Sequence, residues 1–271
     1  MLGNIYLDLT NEFNDGALRA ILSSGQAIVV HGLALASKDG DWIVRETEND
    51  LNFVLGVLEA HGARYRMGAP LDVRWMRGGW SSHFEFLHQG ERIRCDFVSR
   101  PPRLSPEDLA ALWREHEAGQ GVQEPVPTID LRRLAELKKT DRERDYPFIG
   151  EIARRVAAPL EQALLSRSAR DLIALWPRLS EHEQSEALDV RPLLAHIGTG
   201  REALEAALDA ERRALARADE ERLLTYERAA SLWKANWRAL TRQADALPLS
   251  QAHSLLVEAA TRSLPEEPLD V

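Results

Sequence analysis

The chain has 271 residues, of which 44% are hydrophobic and 28% are charged, and its 34 basic and 43 acidic residues give a formal net charge of −9. This composition is typical of a globular protein and excludes a disordered chain, a collagen-like repeat and, since no apolar run approaches ~20 residues, a membrane protein. The acidic balance also argues mildly against a long nucleic-acid partner, because proteins that bind phosphate backbones usually carry a positive surplus.

The cysteine content and the first residues indicate the compartment. The single cysteine, Cys95, excludes an internal disulfide and fits a reducing environment. The first ten residues lack the basic and then apolar pattern of a secretory signal. We therefore expect a cytoplasmic protein without a membrane partner.

Residues 1–104 alternate short strand-like runs with turns, which predicts a small mixed β-sheet with flanking helices. The β-branched run at residues 27–31 (AIVVH) ends at Gly32 and predicts a buried strand. A glycine at the end of a strand lets the backbone approach a phosphate closely. The next predicted elements are a turn or two of helix at residues 33–37, a turn at residues 38–41 and a strand at residues 42–44.

An amphipathic helix is predicted from Thr47 to residue 61. Thr47 is the expected capping residue, Gly62 the expected helix end, and the apolar stripe comprises Leu51, Val54, Leu55 and Leu58. Further strands are predicted at residues 71–75, 83–87 and 92–99, with residues 88–91 as the hairpin turn between the last two.

From Ser105 onwards the pattern is almost entirely helical. Ser105 followed by Pro106 and two acids predicts a helix start, and residues 119–127 are typical of a linker. Later helices are predicted from residue 128 to about residue 156, with a break near residues 139–140, and over residues 201–247. The sequence thus predicts the α+β class, with an α+β domain at residues 1–104 and a helical domain at residues 105–271.

The residues most indicative of chemistry are three acids. Asp39 and Asp41 lie two residues apart at the mouth of a predicted strand, so in an extended chain both side chains point to the same side. Asp96 lies on the polar face of the later strand at residues 92–98. If that strand pairs with residues 42–44, the three carboxylates meet. They then predict a site for two Mg²⁺ (or Mn²⁺) ions that supports attack on a nucleotide α-phosphate.

This order of elements resembles the minimal nucleotidyltransferase fold of the DNA polymerase beta-like superfamily. In that superfamily a strand ends in Gly-Gly or Gly-Ser, an Asp-x-Asp pair follows, and a third Asp comes from a later strand. The string from Ser37 to Asp41 (SKDGD) is similar to the Thr-Lys-Asp-Ile-Asp form of bacterial members, which include nucleotidyltransferase-type toxins of toxin–antitoxin systems. Leu33 departs from the pattern, since the family often has Gly or Ser there.

A second block, residues 131–152, resembles the helix–turn–helix of the same bacterial members, where a lysine is followed by Arg-x-Lys-Asp. Lys138 matches the lysine, and Arg142 or Arg144 matches the arginine ahead of Asp145. Three of the four lysines of the chain, Lys38 among them, lie in these two blocks. The resemblance covers about residues 25–155.

The resemblance implies an enzyme that moves a nucleoside monophosphate from an NTP to a hydroxyl of RNA, protein or a small molecule, and a toxin-like member implies an antitoxin partner. The implied catalytic and metal-binding residues are Asp39, Asp41 and Asp96, and the implied nucleotide-binding residues are Gly32, Ser37, Lys38, Lys138 and Arg142. Two alternatives are a module of the same fold without turnover and a metal-dependent hydrolase. An alternative register places the acidic pair at Asp50 and Asn52.

Overall fold

The computed structural model describes residues 4–119, 124–140 and 142–268, which form an α+β protein. They group into two compact units, which are described separately. Unit 1 combines Met1–Ile129 with Leu223–Val271, and unit 2 comprises Asp130–Arg222. The division into domains at residue 104 stays a prediction, and the predicted linker lies partly outside the described residues.

A five-stranded mixed sheet forms the centre of unit 1. Its order is β1-β2-β5-β4-β3; β2 and β5 run parallel, and the other neighbouring strands run antiparallel. The strands are β1 (Ala20–Ser23), β2 (Gly40–Val44), β3 (Arg64–Tyr65), β4 (Ser82–His88) and β5 (Glu91–Val98).

Helices precede, connect and follow these strands. The first five are α1 (Ile5–Phe13), α2 (Ser24–Val30), α3 (Glu48–Ala60), α4 (Val73–Arg77) and α5 (Pro106–Glu117). Unit 2 contains α6 (Leu131–Leu137), α7 (Tyr146–Arg155), α8 (Pro159–Leu165), α9 (Ala169–Leu175), α10 (Glu181–Val190) and most of α11 (Arg201–Ala229). The last two helices, α12 (Ser231–Ala244) and α13 (Leu249–Ser263), belong to unit 1. Among the described helices, none is long and apolar enough to cross a membrane.

An aromatic cluster covers one face of the sheet. The rings of Trp42 and Phe97 are stacked with centroids 5.3 Å apart, and Phe13 meets both rings edge-on. All three side chains are fully buried, and the indole of Trp42 donates to Thr10 Oγ1 at 2.9 Å. Because successive residues of a strand face opposite sides, this packing turns Asp41 and Asp96 to the other face of the sheet.

The C-terminal helices complete the same core. Trp233 in α12 and Leu256 and Ala260 in α13 are buried in the cluster that contains the sheet aromatics. Unit 2 has an apolar cluster of its own, which includes Leu172 and Leu204. Each unit therefore buries its own apolar surface, which is the main stabilising term in folding.

Several predicted elements are confirmed. Helix α3 begins after Thr47, whose hydroxyl accepts from the Asp50 N–H at 3.1 Å, and Gly62 follows it with φ +68°. The β4–β5 hairpin turns at Gln89 and Gly90, both with positive φ. Helix α5 begins after Ser105, and two long helices, α11 and α12, occupy most of residues 201–247 as predicted.

Other predictions were wrong. Residues 27–31 do not form a strand, because residues 24–30 are helix α2. Residues 73–77 are helix α4, capped by Asp72, where a strand was predicted, and residues 33–37 form no helix. The sequence pattern also missed α1, β1 and β3. Strand β1 is the element that matters most here, because it leads into the candidate site.

Candidate functional site

Four polar side chains form a row across the sheet, on the face opposite the aromatic cluster. Asp41 in β2 is the register partner of Ser23 in β1 on one side and of Asp96 in β5 on the other, and His83 in β4 is the next partner of Asp96. Register partners project from the same face, and neighbouring strands lie about 4.8 Å apart. We call these four residues, Ser23, Asp41, Asp96 and His83, the central row.

The segment before β2 carries the remaining acid. The Tyr6 hydroxyl donates to the Lys38 carbonyl at 2.5 Å, and the Ser37 hydroxyl donates to the Asp39 carbonyl at 3.4 Å. Asp39 Oδ1 is shielded from solvent and accepts no hydrogen bond; Arg94 Nη1 lies 3.7 Å away. Asp39 is thus held next to the start of β2 with one carboxylate oxygen left for a ligand.

The chain turns from β1 into α2 at residues 23–25, and these small residues pack against this segment. The Ser23 hydroxyl donates to the Asp41 carbonyl at 3.1 Å, and Ser24 has φ +48°. A Cβ on Gly25 would lie 2.2 Å from Ser37 Oγ and 3.2 Å from Ser37 Cβ, so Gly25 packs directly on the Ser37 side chain. The turn at residues 23–25 is therefore part of the same site as the acids.

This turn corrects the placement of the glycine. Gly32 was predicted to end a strand, but it follows helix α2 and is exposed, with φ +66°. The strand that ends next to Asp41 is β1; its last residue is Ser23, and Ser24 and Gly25 begin α2. The signal that could have revealed them is the short apolar run at residues 20–22, directly before Ser-Ser-Gly.

Basic side chains surround Asp96. Arg66 Nη1 lies 3.2 Å from Asp96 Oδ1, and His83 Nδ1 lies 2.8 Å from the same oxygen without hydrogen-bond geometry. The other ring nitrogen of His83, Nε2, is hydrogen-bonded to Ser81 Oγ at 2.8 Å. Neither Arg66 nor His83 was a predicted site residue, because only the pairing of β4 with β5 and the turn after β3 bring them to Asp96.

A further acid, Glu85, lies two residues after His83 in β4. Arg64 Nη2 donates to Glu85 Oε1 at 2.7 Å, and Arg92 Nη1 lies 3.7 Å from Oε2. Burial alone would raise the pKa of Glu85, but the hydrogen bond from Arg64 and the charges of Arg92, Arg64 and Arg66 hold it below its ordinary value. Glu85 is therefore an ionised, paired acid outside the central row.

Burial and the negative charges of the predicted acids raise the pKa values of two neighbouring side chains, Cys95 and Tyr6. Burial raises the pKa of the Cys95 thiol well above its usual range, and the charges of Asp96, Asp41 and Asp39 raise it further. Burial, followed by electrostatic interaction with Cys95, Asp39 and Asp41, raises the pKa of Tyr6 to about 12. Tyr6 and Cys95 thus stay protonated at neutral pH, and neither offers a base for catalysis.

The donor set suits a divalent cation. Carboxylate oxygens are the ligands that Mg²⁺ and Mn²⁺ prefer, Asp41 and Asp96 are register partners, and Asp39 Oδ1 has no hydrogen bond. As the side chains stand, no three His, Cys, Asp or Glu residues within residues 4–119, 124–140 and 142–268 form a group that could hold a metal ion. Cation binding by these acids would therefore require their side chains to move.

The other predicted site residues are not members of the central row. Lys38 is exposed. Lys138 and Arg142 belong to unit 2, where Lys138 Nζ lies 3.6 Å from Asp145 Oδ1 and Arg142 Nη2 lies 3.0 Å from Asp145 Oδ2. In the alternative register, Asp50 lies in the first turn of α3, 3.3 Å from Arg19. It is not part of the central row.

Comparison with known proteins gives little further guidance. No protein-family model and no curated protein sequence matches the chain. One matching solved structure is that of an H. pylori protein named provisionally as a nucleotidyltransferase; it shares 14% sequence identity at a TM-score of 0.41 and covers 79% of this chain and 94% of its own. This TM-score is too low to establish a common fold.

Proposed function

We propose that this protein is a nucleotidyltransferase, which moves a nucleoside monophosphate from an NTP to a hydroxyl acceptor and releases pyrophosphate. The observation that carries the proposal is the register of β2 and β5, which makes Asp41 and Asp96 direct neighbours on one face of the sheet. Asp39, with its unbonded Oδ1, lies two residues before Asp41.

In this proposal Asp39, Asp41 and Asp96 hold Mg²⁺ or Mn²⁺. When bound, the cation would stabilise the charge of the triphosphate and make the acceptor hydroxyl more acidic. The acceptor oxygen forms a bond to the α-phosphorus, the bond from that phosphorus to the β-phosphate oxygen breaks, and pyrophosphate leaves. Asp96 accepts the proton of the hydroxyl.

The turn at residues 23–25 is the proposed phosphate side of the site. Its small residues let a phosphate approach the backbone closely, as in the strand-ending turns of the superfamily that the sequence resembles. Ser37 packs on this turn, and Lys38 is the proposed cation next to it. Lys138 and Arg142 stay predicted nucleotide-binding residues, and within unit 2 both pair with Asp145.

A second candidate is a binding module of the same class without turnover. It is favoured by the pairing of Asp96 with Arg66 and by the lack of a ready three-ligand group among the described side chains. Such a module would bind a nucleotide or a partner protein but leave the NTP intact. If the protein is a transferase, its acceptor is proposed to be RNA, protein or a small molecule. An antitoxin partner is a further proposal.

Incubation with each α-labelled NTP, Mg²⁺ or Mn²⁺ and a cell extract distinguishes these functions. We expect the label to move to an acceptor, and we expect Asp41→Asn to reduce this transfer by at least about 100-fold, since even the supporting partners of metal ligands are worth 10–100-fold. Asp50→Asn is the matched control, because it makes the same chemical change outside the central row.

Each other result has a defined meaning. Loss of transfer in Asp50→Asn but not in Asp41→Asn would show that the alternative register is correct. Thermal stabilisation by an NTP without any transfer would favour the binding module, since a ligand selective for the folded state raises its stability. Release of free monophosphate without a labelled acceptor would indicate a hydrolase.

A further inference from the structure

Two arginines reach the acids that the proposed function assigns to the cation. Arg66 follows β3 directly, and its backbone N–H donates to the His83 carbonyl at 2.8 Å, which fixes its position beside the central row. Its guanidinium contacts Asp96 Oδ1 at 3.2 Å. Arg94, two residues before Asp96 in β5, lies 3.7 Å from Asp39 Oδ1. Asp96 and Asp39 thus each face one guanidinium.

Electrostatics explains why a cation-free protein needs these guanidiniums. Asp41 and Asp96 are neighbours on one sheet face and Asp39 lies two residues before Asp41, so the three carboxylates repel one another. This repulsion opposes folding unless positive charge lies close to them. Arg66 and Arg94 supply that charge, and their side chains are 31% and 42% exposed. Ion pairs that are open to solvent are weak, so a stronger cation can replace them.

We propose that Arg66 and Arg94 are placeholders for the divalent cation: they neutralise Asp96 and Asp39 in the cation-free protein and are displaced when the cation binds. The same carboxylate oxygens serve both partners, so arginine pairing and cation binding compete. In the cation-free arrangement, Arg66 and Arg94 contact Asp96 and Asp39, and the described side chains form no three-ligand group. The inference rests on the metal site of the proposed function.

The neighbouring arginines provide a matched control. Arg92 lies on the same strand as Arg94 and is 58% exposed, but it pairs with Glu85 at 3.7 Å. Glu85 is hydrogen-bonded by Arg64 and is not one of the three acids. Arg92 has no ion pair with Asp39 or Asp96 among the described contacts, although it shares Glu85 with Arg66, whose Nε lies 3.9 Å from Glu85 Oε2.

The test is calorimetric titration of the full chain with Mn²⁺ alone, without nucleotide. We expect Arg66→Gln and Arg94→Gln each to lower the Kd for Mn²⁺ by about two- to fivefold, the range that a partly exposed ion pair supplies. Arg92→Gln should leave the Kd unchanged. Without Mn²⁺, both test variants should melt at a lower temperature than the wild-type chain, and Mn²⁺ should raise their Tm by more than it raises the wild-type Tm.

An unchanged or higher Kd in both variants would overturn the proposal, and so would a wild-type chain and variants that bind no Mn²⁺. If Arg66→Gln does not fold, Arg94→Gln decides the question on its own. The result is also independent of turnover. Nucleotidyl transfer with unchanged Kd values would support the proposed function and overturn the role of Arg66 and Arg94 as placeholders. Lowered Kd values without transfer would support the placeholders in a protein that is not a transferase.

Discussion

A single aromatic residue from α1 holds the acidic segment of the candidate site. The Tyr6 hydroxyl is bonded to the Lys38 carbonyl, and its ring lies where a side chain at position 40 would have to fit. A Cβ on Gly40 would lie 2.6 Å from the Tyr6 ring and 2.3 Å from the indole of Trp42. The lack of a side chain at position 40 thus lets the start of β2, between Asp39 and Asp41, pack closely against Tyr6 and Trp42.

We expect Gly40→Ala to lower the free energy of unfolding by about 1–3 kcal/mol, the usual cost of forcing an extra carbon into a packed core. Trp42 is fully buried and cannot move aside. Urea denaturation measures the change. Gly56→Ala is the control, because Gly56 is an exposed position in α3 with no neighbour within 4 Å. Alanine at position 56 should raise the free energy of unfolding by about 0.5–1 kcal/mol. Equal effects at the two positions would contradict the packing at Gly40.

The candidate site could be predicted from the sequence only in part. The alternation of side chains along a strand is a local property, so it predicted that Asp96 would lie on the polar face and could meet Asp41. The arginines were not predictable, because Arg66 reaches Asp96 through the pairing of two other strands. Ion pairs depend on which elements become neighbours, and no local pattern of residues encodes that.

At the scale of elements, α3, α5 and the β4–β5 hairpin were predictable because their ends carry local signals. Thr47 and Ser105 cap the helices, and Gln89 and Gly90 turn the hairpin. The run AIVV was wrongly predicted as a strand, since its β-branched residues favour strands only weakly. In the folded chain, Ile28 buries its side chain from a helix, and tertiary packing overrides the propensity.

A contact between α13 and β3 couples the stability of unit 1 to pH. The Tyr65 hydroxyl accepts the Leu71 N–H at 3.1 Å and lies 2.7 Å from Nδ1 of His253, so its proton is free to be donated to an unprotonated imidazole. Burial lowers the pKa of His253 below its ordinary value; the charge of Asp72 opposes this lowering, and that of Arg74 adds to it. The folded protein therefore favours neutral His253.

We expect acid to destabilise unit 1 through His253. Because its folded-state pKa lies below that of the unfolded chain, this contribution is fully present above about pH 6.5 and is lost as the pH falls through the folded-state pKa. Melting curves between pH 8 and pH 5 measure it. In His253→Asn, whose amide oxygen can replace Nδ1 as an acceptor, Tm should fall less steeply over this range. An equally steep fall would assign the pH dependence to other groups.

On the scale of the whole chain, the C-terminal segment packs on α4 and the loop after it, almost 190 residues earlier in the sequence. The indole of Trp75 donates to the Leu264 carbonyl at 3.1 Å, and that of Trp80 donates to the Glu266 carbonyl at the same distance. The segment passes so close to the loop after α4 that a Cβ on Gly78 would lie 1.7 Å from the Glu266 carbonyl oxygen. The loop between α4 and β4 thus packs against the C-terminal segment at Gly78 and Trp80.

This packing predicts a non-additive pair of changes. Gly78→Ala should lower the free energy of unfolding of the full chain by about 1–3 kcal/mol, because the methyl group pushes the C-terminal segment away and weakens the bonds that Trp75 and Trp80 donate. A chain that ends at Ser263 lacks the obstructing carbonyl. It should be less stable than the full chain, but there Gly78→Ala should cost almost nothing. Urea denaturation of the four proteins gives the coupling between the two changes, since contacting sites are non-additive and distant sites add.

Gly78 has φ −74°, so backbone strain does not disfavour alanine at that position. If Gly78→Ala cost the same in both chains, the C-terminal segment would not lie on the loop.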